Sequence, residues 1–255
     1  MSCCPVNSEP AREGVASDVG ATKTSGLATF YQTGPATARA GLLAFTDIFG
    51  PDSGRSKQDA DHLGKLGYAV LLLDLTDGDW VGNYPNRDGM TEWMRKYDYE
   101  NHLAPRINDA IAYLQNQVGV EHIASYGYCW GAWVGARLST LEEPVIKGHV
   151  SFHPSWRAEN SLNGDGAVEK MTECIKVPQL LLSASNDPDY VKANGSAHKI
   201  LSGNAVIAAL SDVIDFPDVN HGWVNRGDIE MPEVKASVAK AWHAAVKFFQ
   251  TVCPV

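Results

Sequence analysis

The sequence predicts a single-domain α/β fold, a mostly parallel central sheet flanked by helices. Three observations carry that expectation. Strand-length apolar runs alternate with segments of helical period along most of the 255 residues, the pattern of strands joined by crossover helices. Tyr68 to Leu73 (YAVLLL) is apolar without interruption, as a parallel strand covered on both faces must be. The stretch from Ser125 to Trp133 (SYGYCWGAW) follows a short apolar segment and is then continued by Val134, Leu138 and Leu141 at helical spacing. It therefore reads as strand, tight turn, helix, with Cys129 at the tip of the turn.

Taken in order, residues 1 to about 26 are polar, rich in Ala, Gly, Ser and Thr, and without period; they are expected to lie as an extended arm over a domain spanning 27–255. Leu27 to Gln32 and Ala40 to Thr46 are strand candidates separated by the turn residues Thr33-Gly34-Pro35. A helix is expected from about Arg55, with Leu63 and Leu66 facing the core and Gly67 placed to end it in the left-handed conformation. Asp74 to Asp88, with Trp80, Gly82, Tyr84 and Pro85, is read as a loop too long to be mere connection. Leu103, Ile107, Ala110, Ile111, Leu114 and Val118 form one stripe of a helix over 100–118, with Pro105 in its tolerant first turns. Strands are expected near Lys147 to Phe152 and at Gln179 to Ala184, with a polar excursion between them. Residues 191–216 suggest a helix and then a strand around Val206 to Leu210. A last helix begins at Pro232. No repeat, low-complexity tract or linker divides the chain, and α/β domains of this length are commonly single.

The net charge of −9 and pI of about 5.3 come from scattered acidic residues, which argues against nucleic acid or an anionic membrane as partner. Five cysteines (Cys3, Cys4, Cys129, Cys174, Cys253) show neither a disulfide framework nor a C-x-x-C pair, so a reducing compartment is expected. The N-terminus lacks a charged segment followed by an apolar run, and no stretch is long enough to span a bilayer; cytoplasm is the expectation. Adjacent Cys3 and Cys4 are also possible palmitate acceptors. No H-E-x-x-H and no clustered His/Cys spacing point to a metal. Gly127, Gly131 and Gly135 recur every four residues, unlike a dinucleotide fingerprint. No metal or cofactor is expected.

Gly127-x-Cys129-x-Gly131 matches a nucleophile elbow in which only small residues fit beside the nucleophile. Taken alone, it also fits a structural thiol at the end of a core strand. In a parallel sheet the loops after successive strands converge at one edge, and three of them carry Cys129, Asp187 and His221. Nucleophile, acid, histidine is the chain order of α/β-hydrolase folds. A thiol needs an imidazole to take its proton, and a carboxylate must fix the imidazole tautomer. The tetrahedral oxyanion needs N–H donors, for which the amides of Trp130 and Ile48 are the candidates. His153 rivals His221 for the base, and Asp189 and Asp215 rival Asp187 for the acid.

On Asp47-Ile48-Phe49-Gly50, Gly127-Tyr128-Cys129-Trp130-Gly131, Asp187 and His221-Gly222-Trp223 with Arg226, the chain resembles the dienelactone hydrolase (carboxymethylenebutenolidase) family from about residue 27 to the last helix. The Cys3-Cys4-Pro5 arm and the Asp74 to Trp80 loop resemble its eukaryotic branch. The resemblance implies an α/β-hydrolase fold and a Cys129–His221–Asp187 triad that opens a lactone or ester through an acyl-thioester. Bacterial members carry Glu where Asp47 stands, in contact with the cysteine; Asp47 is shorter by one C–C bond of about 1.5 Å, so an indirect role is the alternative. Arg226 occupies a position where the family holds a substrate carboxylate, while the loop after Asp74 offers no second arginine. Phe49, Trp80, Trp130 and Trp223 either line an apolar substrate pocket or pack the loops together. The leading expectation is a cysteine-dependent hydrolase of a small-molecule ester or lactone. The alternatives are a thioesterase or acyltransferase on a larger acyl donor, and a binding protein that keeps the fold without turnover.

Overall fold

The structure, a computed structural model, describes residues 4–17, 19–81 and 87–255. Cys3 and the loop residues Gly82, Tyr84 and Pro85 lie outside the described residues.

Eight strands form one sheet: β1 (Ala21–Ser25), β2 (Ala28–Thr33), β3 (Ala40–Phe45), β4 (Ala69–Asp74), β5 (His122–Tyr128), β6 (Ile146–Phe152), β7 (Gln179–Ala184) and β8 (Asp212–Phe216). Their order is β1-β2-β4-β3-β5-β6-β7-β8. The first two ladders are antiparallel, and every later one is parallel. Buried strands β3, β4, β5 and β7 are apolar on both faces. The pleat sends Leu43 and Phe45 into one core and Leu42 and Ala44 into the other. The second core is closed by α1 (Ser56–Lys65) and α9 (Pro232–Val252), through Ala60, Leu63, Ala241 and Phe249. The first is closed largely by α3 (Ala104–Tyr113) and α4 (Trp130–Leu138), through Ile107, Ile111, Trp133 and Val134. This is the α/β-hydrolase architecture expected from the alternation of elements.

Several elements differ from expectation. Ala21–Ser25, within the expected arm, pairs with β2 as an edge strand. The long loop after β4 gives way at Arg87 to α2 (Arg87–Lys96), a helix the sequence reading lacked. Met90, Trp93 and Met94 stand at helical spacing and pack on the first core, a stripe too short to stand out beside the polar loop before it. The 100–118 stripe is borne out as α3 flanked by wide π-type turns at Tyr99–Leu103 and Leu114–Val118. The polar excursion after Trp156 folds into α5 (Arg157–Asn163) and α6 (Ala167–Glu173). The expected strand at Val206 to Leu210 is corrected: Val206 is 86% exposed, residues 208–210 form a single helical turn after α7 (Ser196–Gly203), and the strand is β8. Asp212 and Asp215 are exposed while Val213 and Phe216 turn into opposite cores, the broken pattern of a half-covered edge strand. The apolar run at Val206 to Leu210 outweighs β8 in hydrophobicity because an edge strand carries less of it than a central one.

Candidate active site

Cys129 joins β5 to α4 with φ 54° and ψ −113°, a conformation that costs a non-glycine residue about 1–3 kcal/mol and persists only when its surroundings enforce it. The enforcement is local. A Cβ on Gly127 would stand 2.3 Å from the carbonyl carbon of Gly131, and one on Gly131 would stand 2.4 Å from the carbonyl oxygens of both Phe45 and Thr46. The elbow can therefore close tightly against the end of β3 only with glycine at both positions. The Cys129 amide donates to Phe152 O (3.1 Å), and its carbonyl accepts from the Ser155 amide (3.0 Å), fixing the tip between neighbouring strand ends.

Asp187 follows β7, and His221 follows β8, so both arrive at the same sheet edge. Asp187 Oδ2 accepts the Ala184 amide (2.7 Å), which aims Oδ1 at His221 Nδ1 (2.6 Å). The His221 amide is held by Asn186 Oδ1 (2.7 Å). A carboxylate only accepts, so Nδ1 carries the proton and Nε2 is turned toward the thiol. Cys129 Sγ lies within 4.8 Å of a His221 ring nitrogen, and Ser155 Oγ sits beside both, 3.2 Å from the sulfur and 3.5 Å from Nε2. All of these groups are buried. Burial alone would disfavour the imidazolium, but the facing Cys129 thiolate and the Asp187 carboxylate outweigh it and hold the His221 pKa well above its ordinary value.

Asp47 does not reach the thiol. It is clasped by the Arg226 guanidinium, with further bonds from Asn225 Nδ2 (2.7 Å), Ser53 Oγ (2.9 Å) and the Phe49 amide (2.9 Å). Arg226 is 1% exposed; its remaining donors go to the carbonyls of Glu9 and Pro10, and the Phe49 ring lies 5.0 Å below it. Burial opposes its charge and Asp47 more than restores it, so its pKa is raised.

The remaining candidates divide. Among the described residues, no hydrogen bond engages the amides of Ile48 and Trp130. The contact of Gly131 with the end of β3 brings their two segments together. Trp130 packs its indole edge-on against Trp93 (4.9 Å) in the core that contains Cys129. Trp223, fully buried against Phe216 (4.6 Å), belongs to the opposite core. Trp80 fills the space left open at Gly50 and lines a cavity of about 140 Å³ with Phe30, Tyr31 and Lys57, without Cys129. His153 is buried with its ring 4.8 Å from that of His221 and neither nitrogen hydrogen-bonded; burial, followed by the nearby His221 and Arg226 charges, drives its pKa well down, so it stays neutral.

Three contributors escaped the sequence reading. Ser155 lies in a post-strand loop already singled out for His153, and that position was its one available signal. Asn186 neighbours the acid. The third is the reach of the arm into the site: the segment expected to lie over the domain crosses the sheet edge, where Asn186 Nδ2 donates to Val6 O (2.9 Å), the Glu9 amide donates to His221 O (2.7 Å), and the Gly54 amide donates to Arg12 O (3.0 Å). Its Cys4 Sγ comes 3.4 Å from Cys129 Sγ. Among the described residues, Cys4, Cys129 and His221 are the group whose ligand atoms gather closely enough to hold a metal ion.

A mostly parallel eight-stranded sheet with a strained strand-to-helix turn at Cys129 and a buried His–Asp pair at its carboxyl edge has the architecture of an α/β-hydrolase. Residues 28–253 match the dienelactone hydrolase family, and the chain belongs to it. An AIM2 family protein of Schizosaccharomyces pombe is 28% identical, over 98% of this chain and 99% of its own. The hydrolase tropI of Talaromyces stipitatus is 26% identical, over 82% and 80%. Among solved structures, a dienelactone hydrolase-like promiscuous phosphotriesterase, P91, from metagenomic libraries superposes with a TM-score of 0.65 at 18% identity, covering 97% of this chain and 100% of that one. The dienelactone hydrolase of Anabaena variabilis gives 0.59 at 16%, covering 92% and 97%. These structures share the fold. The chain is thus a hydrolase of the ester- and lactone-cleaving kind, and no helix among the described residues is long and apolar enough to cross a membrane.

Proposed function

We propose that the protein hydrolyses a small-molecule carboxylic ester or lactone through a Cys129–His221–Asp187 triad. The observation that carries this reading is the thiol on a strained elbow beside an imidazole whose far nitrogen is bonded to a buried carboxylate. The Asp187 carboxylate and a facing Cys129 thiolate both favour the imidazolium, so this reading takes the ion pair, with the proton on Nε2, as the attacking form. The sulfur attacks the carbonyl carbon, a C–S bond forms, and the carbonyl electron pair moves onto oxygen. The amides of Ile48 and Trp130 receive that oxyanion. On collapse the C–O bond to the leaving alkoxide breaks, and the Nε2 proton goes to that alkoxide. Water then gives a proton back to Nε2, its oxygen attacks the thioester, and the thiolate is expelled.

Asp47 is committed to Arg226, so activation of the thiol rests on His221, with Ser155 bridging the two. Arg226 is buried and paired with Asp47 rather than open to a substrate carboxylate, which favours neutral esters. Cys129→Ala is expected to lower kcat/KM on p-nitrophenyl acetate by about 10⁴-fold or more. Unchanged turnover in that variant removes this mechanism.

A further inference from the structure

We propose that Cys4, Cys129 and His221 form a zinc site that holds the protein in a capped, inactive state. Three segments far apart in the chain bring one ligand atom each to a common point: the arm, the elbow and the loop after β8. The three atoms lie within 4.8 Å of one another, and the two sulfurs are 3.4 Å apart. Two thiolates on one tetrahedral zinc, with Zn–S near 2.3 Å, stand about 3.8 Å apart, so the sulfurs need to separate by only a few tenths of an ångström.

The donor set is selective. Two thiolates and an imidazole suit zinc and disfavour calcium or magnesium, which take oxygen. Two thiolate charges also cancel the charge of a divalent ion, which a buried site requires. His221 is already prepared as a ligand, because Asp187 Oδ1 holds Nδ1–H at 2.6 Å and leaves Nε2 to bind. That carboxylate–histidine relay is the usual support of a zinc-bound imidazole. Ser155 Oγ, 3.2 Å from Cys129 Sγ and 3.5 Å from Nε2, borders the fourth position, where a water completes the tetrahedron. Binding displaces the Cys4 thiol proton and the single proton that Cys129 and His221 share. Cys4 is only partly buried, so the ion has a route in along the arm. The loss of turnover on binding rests on Cys129 being the nucleophile; the binding itself does not.

The test is an anaerobic titration of the reduced, chelator-treated full chain with cobalt(II), then displacement by zinc, with no substrate present. A thiolate-to-cobalt charge-transfer band saturating at one equivalent, and abolished by zinc, is expected. Cys4→Ser and Cys129→Ser should each weaken binding at least tenfold and reduce the band. Asp187→Asn should keep the band and weaken affinity about 10- to 100-fold. Cys174→Ser should match the parent. Absence of a thiolate band in the parent, or equal affinity and band in the two folded ligand variants, overturns the site. Binding is read optically, so an inactive esterase assay leaves this result standing, and a failed titration leaves the hydrolase reading standing.

Discussion

Arg226 shows how far a single residue's role depends on its neighbours. The family resemblance implies a clamp for a substrate carboxylate at this position, yet in the fold Arg226 neutralises Asp47 inside the protein. Nothing in the sequence pairs residues 179 positions apart, and only the fold brings them together. The same holds for Ser155, which carries no motif and acquires meaning from lying between a sulfur and an imidazole. Cys129, Asp187 and His221 could be singled out in the sequence because α/β topology fixes the order in which candidates for these roles occur. Breaking the Asp47–Arg226 pair strands a buried charge. Arg226→Met should lower unfolding free energy by about 3 kcal/mol in urea titrations, and Asp47→Asn added to it should recover part of that loss. Additive losses in the double variant would show that the two charges do not compensate each other.

At the scale of elements, central strands and amphipathic helices were readable because burial on both faces, or on one stripe, leaves a period in the sequence. The elements missed were short or half-exposed: α2, whose stripe is only Met90, Trp93 and Met94, the short helices α5 and α6, and the edge strand β8. The elbow is the element on which the site depends. A methyl group at Gly131 meets two backbone oxygens that cannot rotate away. Gly131→Ala should therefore cost about 3 kcal/mol of stability and most of the turnover. Gly203→Ala, at the end of α7 with nothing within 4 Å of the added carbon, should change stability by less than about 1 kcal/mol. Comparable melting temperatures for the two variants would contradict the steric account of the elbow.

For the whole molecule, buried titratable groups make stability depend on pH in opposite senses. His149 donates Nε2–H to Ala132 O (3.2 Å) and accepts from Ser125 Oγ (2.8 Å); burial holds it neutral, with its pKa lowered to about 3. As pH falls below the ordinary histidine value, the unfolded chain gains a proton that the fold refuses, so stability falls until pH reaches the folded pKa. Asp59, bonded to Tyr128 Oη (2.7 Å), is raised by burial to about 7; the fold holds its proton first, so stability rises as pH falls from 7 toward the ordinary carboxylate range. His149→Gln should remove a slope of about 1.4 kcal/mol per pH unit between pH 6 and 4, and Asp59→Asn should remove one of opposite sign. Urea midpoints across that range measure both. Matching slopes in parent and variants would mean that neither group is held as described.

Catalysis by Cys129 is most directly tested by trapping its acyl-enzyme. The protein is mixed with p-nitrophenyl acetate, quenched in acid within the first turnovers, digested and mapped by mass spectrometry. An acetyl group on Cys129 that builds with the p-nitrophenol burst and decays as substrate is exhausted is the predicted result. Steady p-nitrophenol release with Cys129 unmodified throughout, or acetylation confined to exposed Cys174, would contradict a thiol nucleophile at the elbow.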